Sequence, residues 1–190
     1  MSTIAAPSYT PAEQALSDAW DAHLRSEFAA HSADEALATM VDAPRVNHTP
    51  VMTGGDGREQ LYTFYAKHFL PQLAPDTAMT PVSRTIGQGR LVDELNITFT
   101  HTIPMVWMLP GIPPTGKRVE VALVVVVQFD GDKIAHEHLY WDQASVLVQL
   151  GLIDPACLPV VGAEGPRSVL DRSIPLNKLI DRVEARADGR

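Results

Sequence analysis

The stretch that decides the fold of this chain runs from residue 134 to residue 151: Ile-Ala-His-Glu-His-Leu-Tyr-Trp-Asp-Gln-Ala-Ser-Val-Leu-Val-Gln-Leu-Gly. Its first half follows the turn Asp130-Gly131-Asp132 and is rich in residues that favour a pleated surface, so it predicts a strand. Its second half has Val146, Leu147 and Leu150 at helical spacing and ends at Gly151, a residue suited to a left-handed cap. We therefore expect a strand that continues directly into a short amphipathic helix.

Side chains on a strand alternate between two faces, so the predicted strand divides its residues into two rows. The row rich in groups that give or take protons contains Ile134, His136, His138, Tyr140 and Asp142. The opposite row contains Ala135, Glu137, Leu139 and Trp141. The first row therefore concentrates the candidate chemistry.

Composition limits the functions open to the chain. The 190 residues, 45% hydrophobic and 20% charged, suffice for one domain with a full core plus a tail. A formal net charge of −8 argues against binding to nucleic acid or to an anionic membrane surface, because both require a basic patch. The single Cys157 cannot form an internal disulfide, and the sequence starts without the pattern of a signal peptide. We expect a cytoplasmic protein whose partners are small molecules and other proteins.

Helix signals dominate the N-terminal part of the chain. Thr10-Pro11 is typical of a helix start, and Ser32-Ala33-Asp34-Glu35 has the form of a capping box. The expected elements are a helix from Pro11 to about Phe28, a second from Ala33 to about Met40, a short strand from Pro44 to His48 and a third helix from about Asp56 to Phe69.

Long strands are predicted for the middle of the chain. Leu91 to Ile103 alternates between two faces and places His101 at the end of an apolar one, while Lys117 to Phe129 is apolar on both faces. Between them, Pro104 to Gly116 is a loop with an unusual load of large apolar side chains. Helices followed by strands favour an α+β domain in which helices pack on one side of an antiparallel sheet and leave a pocket.

Several short motifs carry a resemblance to a known family. They are His48-Thr49-Pro50, Gly54-Gly55-Asp56-Gly57, Phe64-Tyr65, Pro114-Thr115-Gly116-Lys117-Arg118-Val119, and Tyr140-Trp141-Asp142 with Gln149-Leu150-Gly151. With them the chain resembles the SnoaL-like polyketide cyclase group of the nuclear-transport-factor-2-like (NTF2-like) superfamily. The resemblance implies a cone in which helices cover the concave face of a curved, mostly antiparallel sheet around a pocket.

The resemblance also implies a domain division. It covers about residues 10–152, so we expect a SnoaL-like domain over residues 1–152. Residues 153–190 would form a C-terminal extension whose short helix packs on the domain or on a dimer partner. We expect a homodimer.

The resemblance implies the fold and not the activity, and the leading hypothesis is cofactor-independent acid/base chemistry on a small hydrophobic or aromatic carbonyl compound. Asp142 lies at a distance from Gln149-Leu150-Gly151 that resembles the position of the acid/base aspartate in the cyclases. An apolar pocket raises the pKa of a carboxyl toward working pH, and Tyr140 or His138 on the same row could polarise the carbonyl. An enolate would then lead to aldol-type cyclisation, isomerisation or dehydration.

Seven further residues are expected to contact the substrate, as imidazole donors or as apolar and aromatic walls: His48, His101, His136, Phe64, Tyr65, Met105 and Trp107.

Each assignment has an alternative. Asp142 could cap the helix that follows it, and the row from Ile134 could face outward, since sheets of this superfamily often dimerise through that face. His101 could be a core residue. His136 and His138 with a further ligand could hold zinc or iron, although the resemblance implies neither metal nor cofactor. The domain could also be a non-catalytic module for small-molecule binding or dimerisation, so whether it is an enzyme stays open.

Overall fold

The computed structural model describes residues 9–187. Its helices are α1 (Pro11–Phe28), α2 (Ala33–Ala38), α3 (Arg58–Thr63), α4 (Gln143–Gln149), α5 (Glu164–Leu170) and α6 (Lys178–Ala187). Its strands are β1 (Met40–His48), β2 (Thr53–Asp56), β3 (Ala78–Gly87), β4 (Arg90–Thr100), β5 (Arg118–Asp130) and β6 (Lys133–Trp141). A π-helical segment (Phe64–Phe69) and a 3₁₀ turn (Leu70–Gln72) continue directly from α3.

The first two helices begin where the capping residues predict. The Thr10 hydroxyl accepts a hydrogen bond from the backbone N–H of Glu13, and the Glu13 carboxylate accepts one from the backbone N–H of Thr10. Ser32 accepts a hydrogen bond from the backbone N–H of Glu35 at the start of α2.

All six strands join one curved, unclosed sheet in the order β2-β1-β6-β5-β4-β3. Neighbouring strands are antiparallel except for β1 and β6, which pair in parallel near the middle of the sheet. The 13-residue β5 lies between β4 and β6, as expected of a strand that is apolar on both faces. The predicted α+β class and NTF2-like architecture are confirmed.

A β-bulge in the final strand decides which side chains face the helices. Gln128 pairs with His136, but the next residue, Phe129, pairs with Ile134, so Ala135 is an extra residue in the ladder. Ile134 is therefore buried on the inner face together with Glu137 and Trp141. The bulge shifts the alternation, and the inner face of β6 carries the odd-numbered residues after it.

Some element boundaries differ from those predicted. The first strand begins at Met40 rather than Pro44, because residues from Met40 onward already pair with β6. The third helix is interrupted: α3 ends at Thr63 and the chain continues as a π-helix. The strand expected over Leu91 to Ile103 ends at Thr100.

Part of the C-terminal extension packs on the outer face of the sheet. Arg167 in α5 donates two hydrogen bonds to the Glu120 carboxylate of β5, at 2.6 and 2.9 Å. Asn96 of β4 donates from Nδ2 to the Pro166 carbonyl at 3.1 Å. Further along, α6 presents Ile180 and Val183 to solvent. Between residues 9 and 187, no helix combines the length and the apolar character needed to cross a membrane.

Candidate active site

A cavity of about 50 Å³ lies between the inner face of the sheet and the helices. This is room for a few water molecules. Most of its wall is apolar or aromatic, and its principal polar residues are Glu27, His48, Tyr65, Thr77 and Glu137. Partly buried side chains of α1 and of the segment leading into β3 form one side of the wall: Leu24, Phe28, Leu73, Thr77 and Met79. The site is thus an apolar pocket with a small number of polar groups, the usual composition of a ligand site.

A buried cluster of one imidazole and two carboxyls forms the polar end of the cavity. His23 and Glu27 lie one turn apart on α1, and Glu137 projects from β6. Nε2 of His23 is 3.2 Å from Oε1 of Glu27 and 3.2 Å from Oε1 of Glu137. All three side chains are at most 7% exposed. The cluster therefore joins the first helix to the last strand.

The hydrogen bonds define the protonation state of His23. The Thr39 hydroxyl donates to the Ala36 carbonyl at 2.7 Å, so it accepts from Nδ1–H of His23, also at 2.7 Å. The proton on Nε2 then faces the two carboxyls. Burial alone would lower the pKa of His23, but Glu137 and Glu27 outweigh burial and raise this pKa to about 10. His23 is an imidazolium at neutral pH.

One carboxyl oxygen of the cluster has no hydrogen-bond donor. The Nε2–H of His23 is directed at Glu27, and the 3.2 Å contact with Glu137 is an ion-pair contact outside hydrogen-bond geometry. Oε1 of Glu137 is consequently buried without a hydrogen-bond partner among residues 9–187. Burial raises the pKa of Glu137, while His23 acts in the opposite direction. Glu137 is a buried carboxyl of increased proton affinity, and it lines the cavity.

The π-helical segment carries three aromatic rings, and it places that of Tyr65 against this cluster. Hydrogen bonding between residues five apart in a π-helix brings Phe64 and Phe69 onto the same side, where they stack with centroids 5.7 Å apart. The Tyr65 hydroxyl lies 3.4 Å from Nε2 of His23. Burial and the neighbouring Glu27 and Glu137 raise the pKa of Tyr65, so its hydroxyl remains protonated.

His48 is a second imidazole of the cavity, and it is neutral. Its ring contacts four aromatic rings, those of Phe64, Phe69, Trp107 and Trp141, at centroid distances of 5.4 to 5.8 Å. Burial lowers the pKa of His48 to about 4. Nδ1 donates to the Thr53 carbonyl at 3.3 Å, which leaves Nε2 as an acceptor.

The structure brings together four of the residues expected to contact a substrate. His48, Tyr65, Met105 and Trp107 line the cavity. Phe64 packs against His48 and Tyr65 from behind and does not line it. His101 is fully buried elsewhere, with Nδ1 3.3 Å from the Thr115 hydroxyl, so its expected position in the pocket is wrong.

The expected position of the catalytic row is also wrong. His136, His138 and Tyr140 lie on the outer face of the sheet, where the two imidazoles stack with centroids 4.6 Å apart and Tyr140 is 44% exposed. The reason is the bulge at Ala135, which turns the odd-numbered residues inward. This outer face is where the expected homodimer would form, and the homodimer stays a prediction.

Asp142 caps the helix that follows it, which is the alternative role given for it above. Its Oδ1 accepts a hydrogen bond from the backbone N–H of Ser145 at 3.1 Å and caps α4. The side chain is exposed, and it borders a separate cavity of about 100 Å³ beneath α5. The geometric basis for an acid/base role of Asp142 with Tyr140 and His138 is therefore absent.

The sequence interpretation missed His23, Glu27 and Glu137. Glu137 was assigned to the row opposite the candidate chemistry, and His23 and Glu27 were not recognised as a site. One signal was available: a histidine and a glutamate four residues apart on the apolar side of a helix, which share one helix face. Over residues 9–187, no group of three or more His, Cys, Asp or Glu side chains is arranged to hold a metal ion.

Comparisons with known proteins agree with this architecture. The family model described as SnoaL-like polyketide cyclase matches residues 14–150. Because this model covers most of the chain, the chain belongs to the SnoaL-like polyketide cyclase family. A search of curated proteins finds no match.

Solved structures with similar folds are distant in sequence. A protein from Jannaschia sp. CCS1 assigned to the SnoaL-like polyketide cyclases is 19% identical, with a TM-score of 0.62 over 78% of this chain and 100% of that one. AclR from Streptomyces galilaeus, named as a hydroxylase, is 15% identical, with a TM-score of 0.58 over 75% of this chain and 88% of that one. A protein from Acidithiobacillus ferrooxidans named as a polyketide cyclase is 18% identical, with a TM-score of 0.56 over 72% and 94% of the two chains. These similarities show the fold.

Proposed function

We propose that this SnoaL-like chain is a cofactor-independent acid/base enzyme that acts on a small hydrophobic carbonyl compound, with Glu137 as the group that transfers the proton. The observation that carries the proposal is the buried Oε1 of Glu137, which lines an apolar cavity and has no hydrogen-bond donor among residues 9–187. A carboxyl of raised proton affinity beside an apolar cavity is suited to remove a proton from carbon next to a carbonyl.

The other polar groups have distinct parts in this mechanism. Ionised Glu137 accepts the proton from the substrate carbon, and the adjacent imidazolium of His23 stabilises the ionised form before the transfer. The Tyr65 hydroxyl stays protonated and lies in the cluster of His23 and Glu27, so it would have to turn from these partners to donate a hydrogen bond to the enolate oxygen. Protonated Glu137 then returns the proton to another carbon or to a departing hydroxyl, which gives isomerisation or dehydration. Attack of the enolate on a second carbonyl, whose oxygen takes the proton from Glu137, gives aldol-type cyclisation.

The size of the cavity limits the substrate. About 50 Å³ of space admits only the reacting end of a ring-sized compound unless side chains of the wall move. Phe28, Leu73 and Met79 are partly buried members of that wall, and their displacement would enlarge the cavity on one side. We therefore infer a small apolar substrate, or a larger one of which one carbonyl end enters.

A second candidate function is a non-catalytic binding module. The observation that favours it is the internal pairing of the cluster: Nδ1–H of His23 bonds Thr39 and Nε2–H bonds Glu27, so the imidazole is held without a ligand. Such a cluster could serve only to join α1 to β6 while the cavity stores a small apolar molecule.

Hydrogen exchange separates the two candidates. The wild-type chain is incubated in D2O with a panel of small ketones, and deuterium incorporation next to the carbonyl is followed by NMR. Glu137→Gln is compared with Glu94→Gln, which removes a carboxylate from the outer face of β4, where it accepts a hydrogen bond from Ser83. Because positioned acid/base catalysis contributes roughly 100-fold or more, Glu137→Gln should reduce exchange by about that factor while Glu94→Gln retains it.

Circular dichroism and thermal unfolding of both variants confirm that they are folded. Exchange that is equal in wild type and Glu137→Gln would contradict the assignment of Glu137. Saturable binding of the same ketones without exchange would favour the binding module.

A further inference from the structure

The unpartnered polar atoms of the cavity are acceptors. Oε1 of Glu137 has no donor among residues 9–187, and Nε2 of His48 is left as an acceptor because Nδ1 donates to the Thr53 carbonyl. Tyr65 supplies a hydroxyl, but it already lies in the cluster of His23 and Glu27. A ligand that fits these atoms brings its own N–H or O–H groups.

The charges of the cluster also favour a ligand with N–H or O–H donors, and specifically a cation. Glu27 and Glu137 are two carboxyls against one imidazolium, His23, and all three are buried. With both carboxyls ionised, the polar end of the cavity carries one negative charge in excess. A buried charge is costly unless it is paired, so a second cation beside Glu137 would balance the charge of the cluster.

The rest of the wall suits the apolar part of an organic cation. Trp20, Tyr65, Phe69 and Trp107 line the cavity, and the faces of aromatic rings attract a cation most strongly where water is excluded. The volume of about 50 Å³ restricts such a ligand to a few non-hydrogen atoms.

From this geometry we propose that the cavity binds a small protonated organic amine, whose N–H donates to the carboxylate of Glu137 and whose alkyl groups contact the aromatic wall. The ammonium group supplies a second positive charge beside the two carboxyls of the cluster. This goes beyond the proposed function and does not require turnover. If Glu137 also transfers protons from substrates, a bound amine occupies that carboxyl and inhibits the reaction competitively.

Two ligands of nearly the same shape test the proposal on the wild-type chain. Tert-butylammonium is a protonated amine with N–H donors, and tert-butanol is its neutral counterpart. Dissociation constants are measured by NMR titration at a pH where the amine is protonated. We expect tert-butylammonium to bind roughly tenfold more tightly or better, the preference that one desolvated cation contact supplies. Equal affinities, or tighter binding of tert-butanol, would overturn the proposal.

A third ligand and two variants locate the contact. Tetramethylammonium has the charge but no N–H, so it should bind less tightly than tert-butylammonium, and equal affinity would overturn the hydrogen bond to the Glu137 carboxylate. Glu137→Gln should abolish the preference for the amine over the alcohol, and Glu94→Gln should preserve it. Loss of the preference in both variants alike would overturn the site. If Glu137→Gln fails to fold, the comparison of tert-butylammonium with tert-butanol on the wild-type chain still tests whether the cavity prefers the amine.

The outcomes are separable from those of the exchange experiment. Ketone exchange without amine preference would overturn the amine site and leave the enzyme proposal standing. Amine preference without ketone exchange would support the amine site while the enzyme proposal fails.

Discussion

The indole of Trp20 stacks on the imidazole of His23, with ring centroids 5.5 Å apart and 15° between the ring planes. The same indole donates Nε1–H to Oδ2 of Asp93 at 2.8 Å, and Asp93 is bound by Arg84 through two hydrogen bonds of 2.6 and 2.7 Å. Arg84 also donates to Asp21 of α1 at 2.9 Å. The ion pair between the sheet and α1 therefore helps to position the imidazole that faces Glu137.

Arg84→Met should destabilise the protein by about 3 kcal/mol, because it leaves Asp93 as an uncompensated charge at 3% exposure. Urea unfolding measures the change. The double variant Arg84→Met with Asp93→Asn removes that charge and keeps an acceptor for Trp20, so it should recover part of the loss. A double variant no more stable than Arg84→Met would contradict this explanation.

Asp142→Ala should lower the free energy of unfolding by about 1 kcal/mol, the usual value of an N-cap, since it removes the acceptor for the Ser145 N–H. Ser32→Ala removes the corresponding cap of α2 and provides a matched comparison. Ketone exchange should be unchanged in Asp142→Ala. A loss of exchange as large as in Glu137→Gln would return the acid/base role to Asp142.

His48 should make the protein less stable in acid. Its folded-state pKa of about 4 is below the ordinary 6.5, so the neutral form stabilises the fold above pH 6.5 and that stability is lost as pH falls toward 4. One proton changes the free energy of unfolding by at most about 1.4 kcal/mol per pH unit. His48→Gln should show a shallower loss over this range in urea unfolding, and parallel curves would rule out His48 as the cause.

Loss of the proton from His23 should make the protein less stable at alkaline pH. Its folded-state pKa is raised to about 10 from 6.5, so its stabilisation is complete below pH 6.5 and is lost as pH rises toward 10. Glu137, whose pKa is also raised, contributes in the same direction from lower pH. His23→Gln should flatten the alkaline part of the stability curve, whereas His31→Gln, at an exposed position, should leave it as in wild type.

The sequence was sufficient for the elements of this fold but not for the site. Capping boxes at Thr10 and Ser32 and the alternation of β5 are local patterns, and local patterns predict helices and strands well. The bulge at Ala135 depends on how β6 pairs with β5, and no residue type near it announces an extra position.

The contact between His23 and Glu137 joins residues that are far apart in the sequence. It requires the parallel pairing of β1 and β6 and the packing of α1 across the sheet, neither of which has a local signature. Glu137 was placed only on the row opposite the candidate chemistry, and its partner His23 lies more than a hundred residues earlier in the chain. The family resemblance located the last strand but not its inner face.

The central claim is that Glu137 is the carboxyl of raised proton affinity in the pocket. A ¹³C NMR titration of the glutamate carboxyl carbons, assigned with Glu137→Gln, measures it directly. We expect the pKa of Glu137 to lie above 4.5, and to rise further in His23→Gln, where the neighbouring positive charge is gone. A Glu137 that titrates at or below 4.5, with the same midpoint in both proteins, would contradict the account.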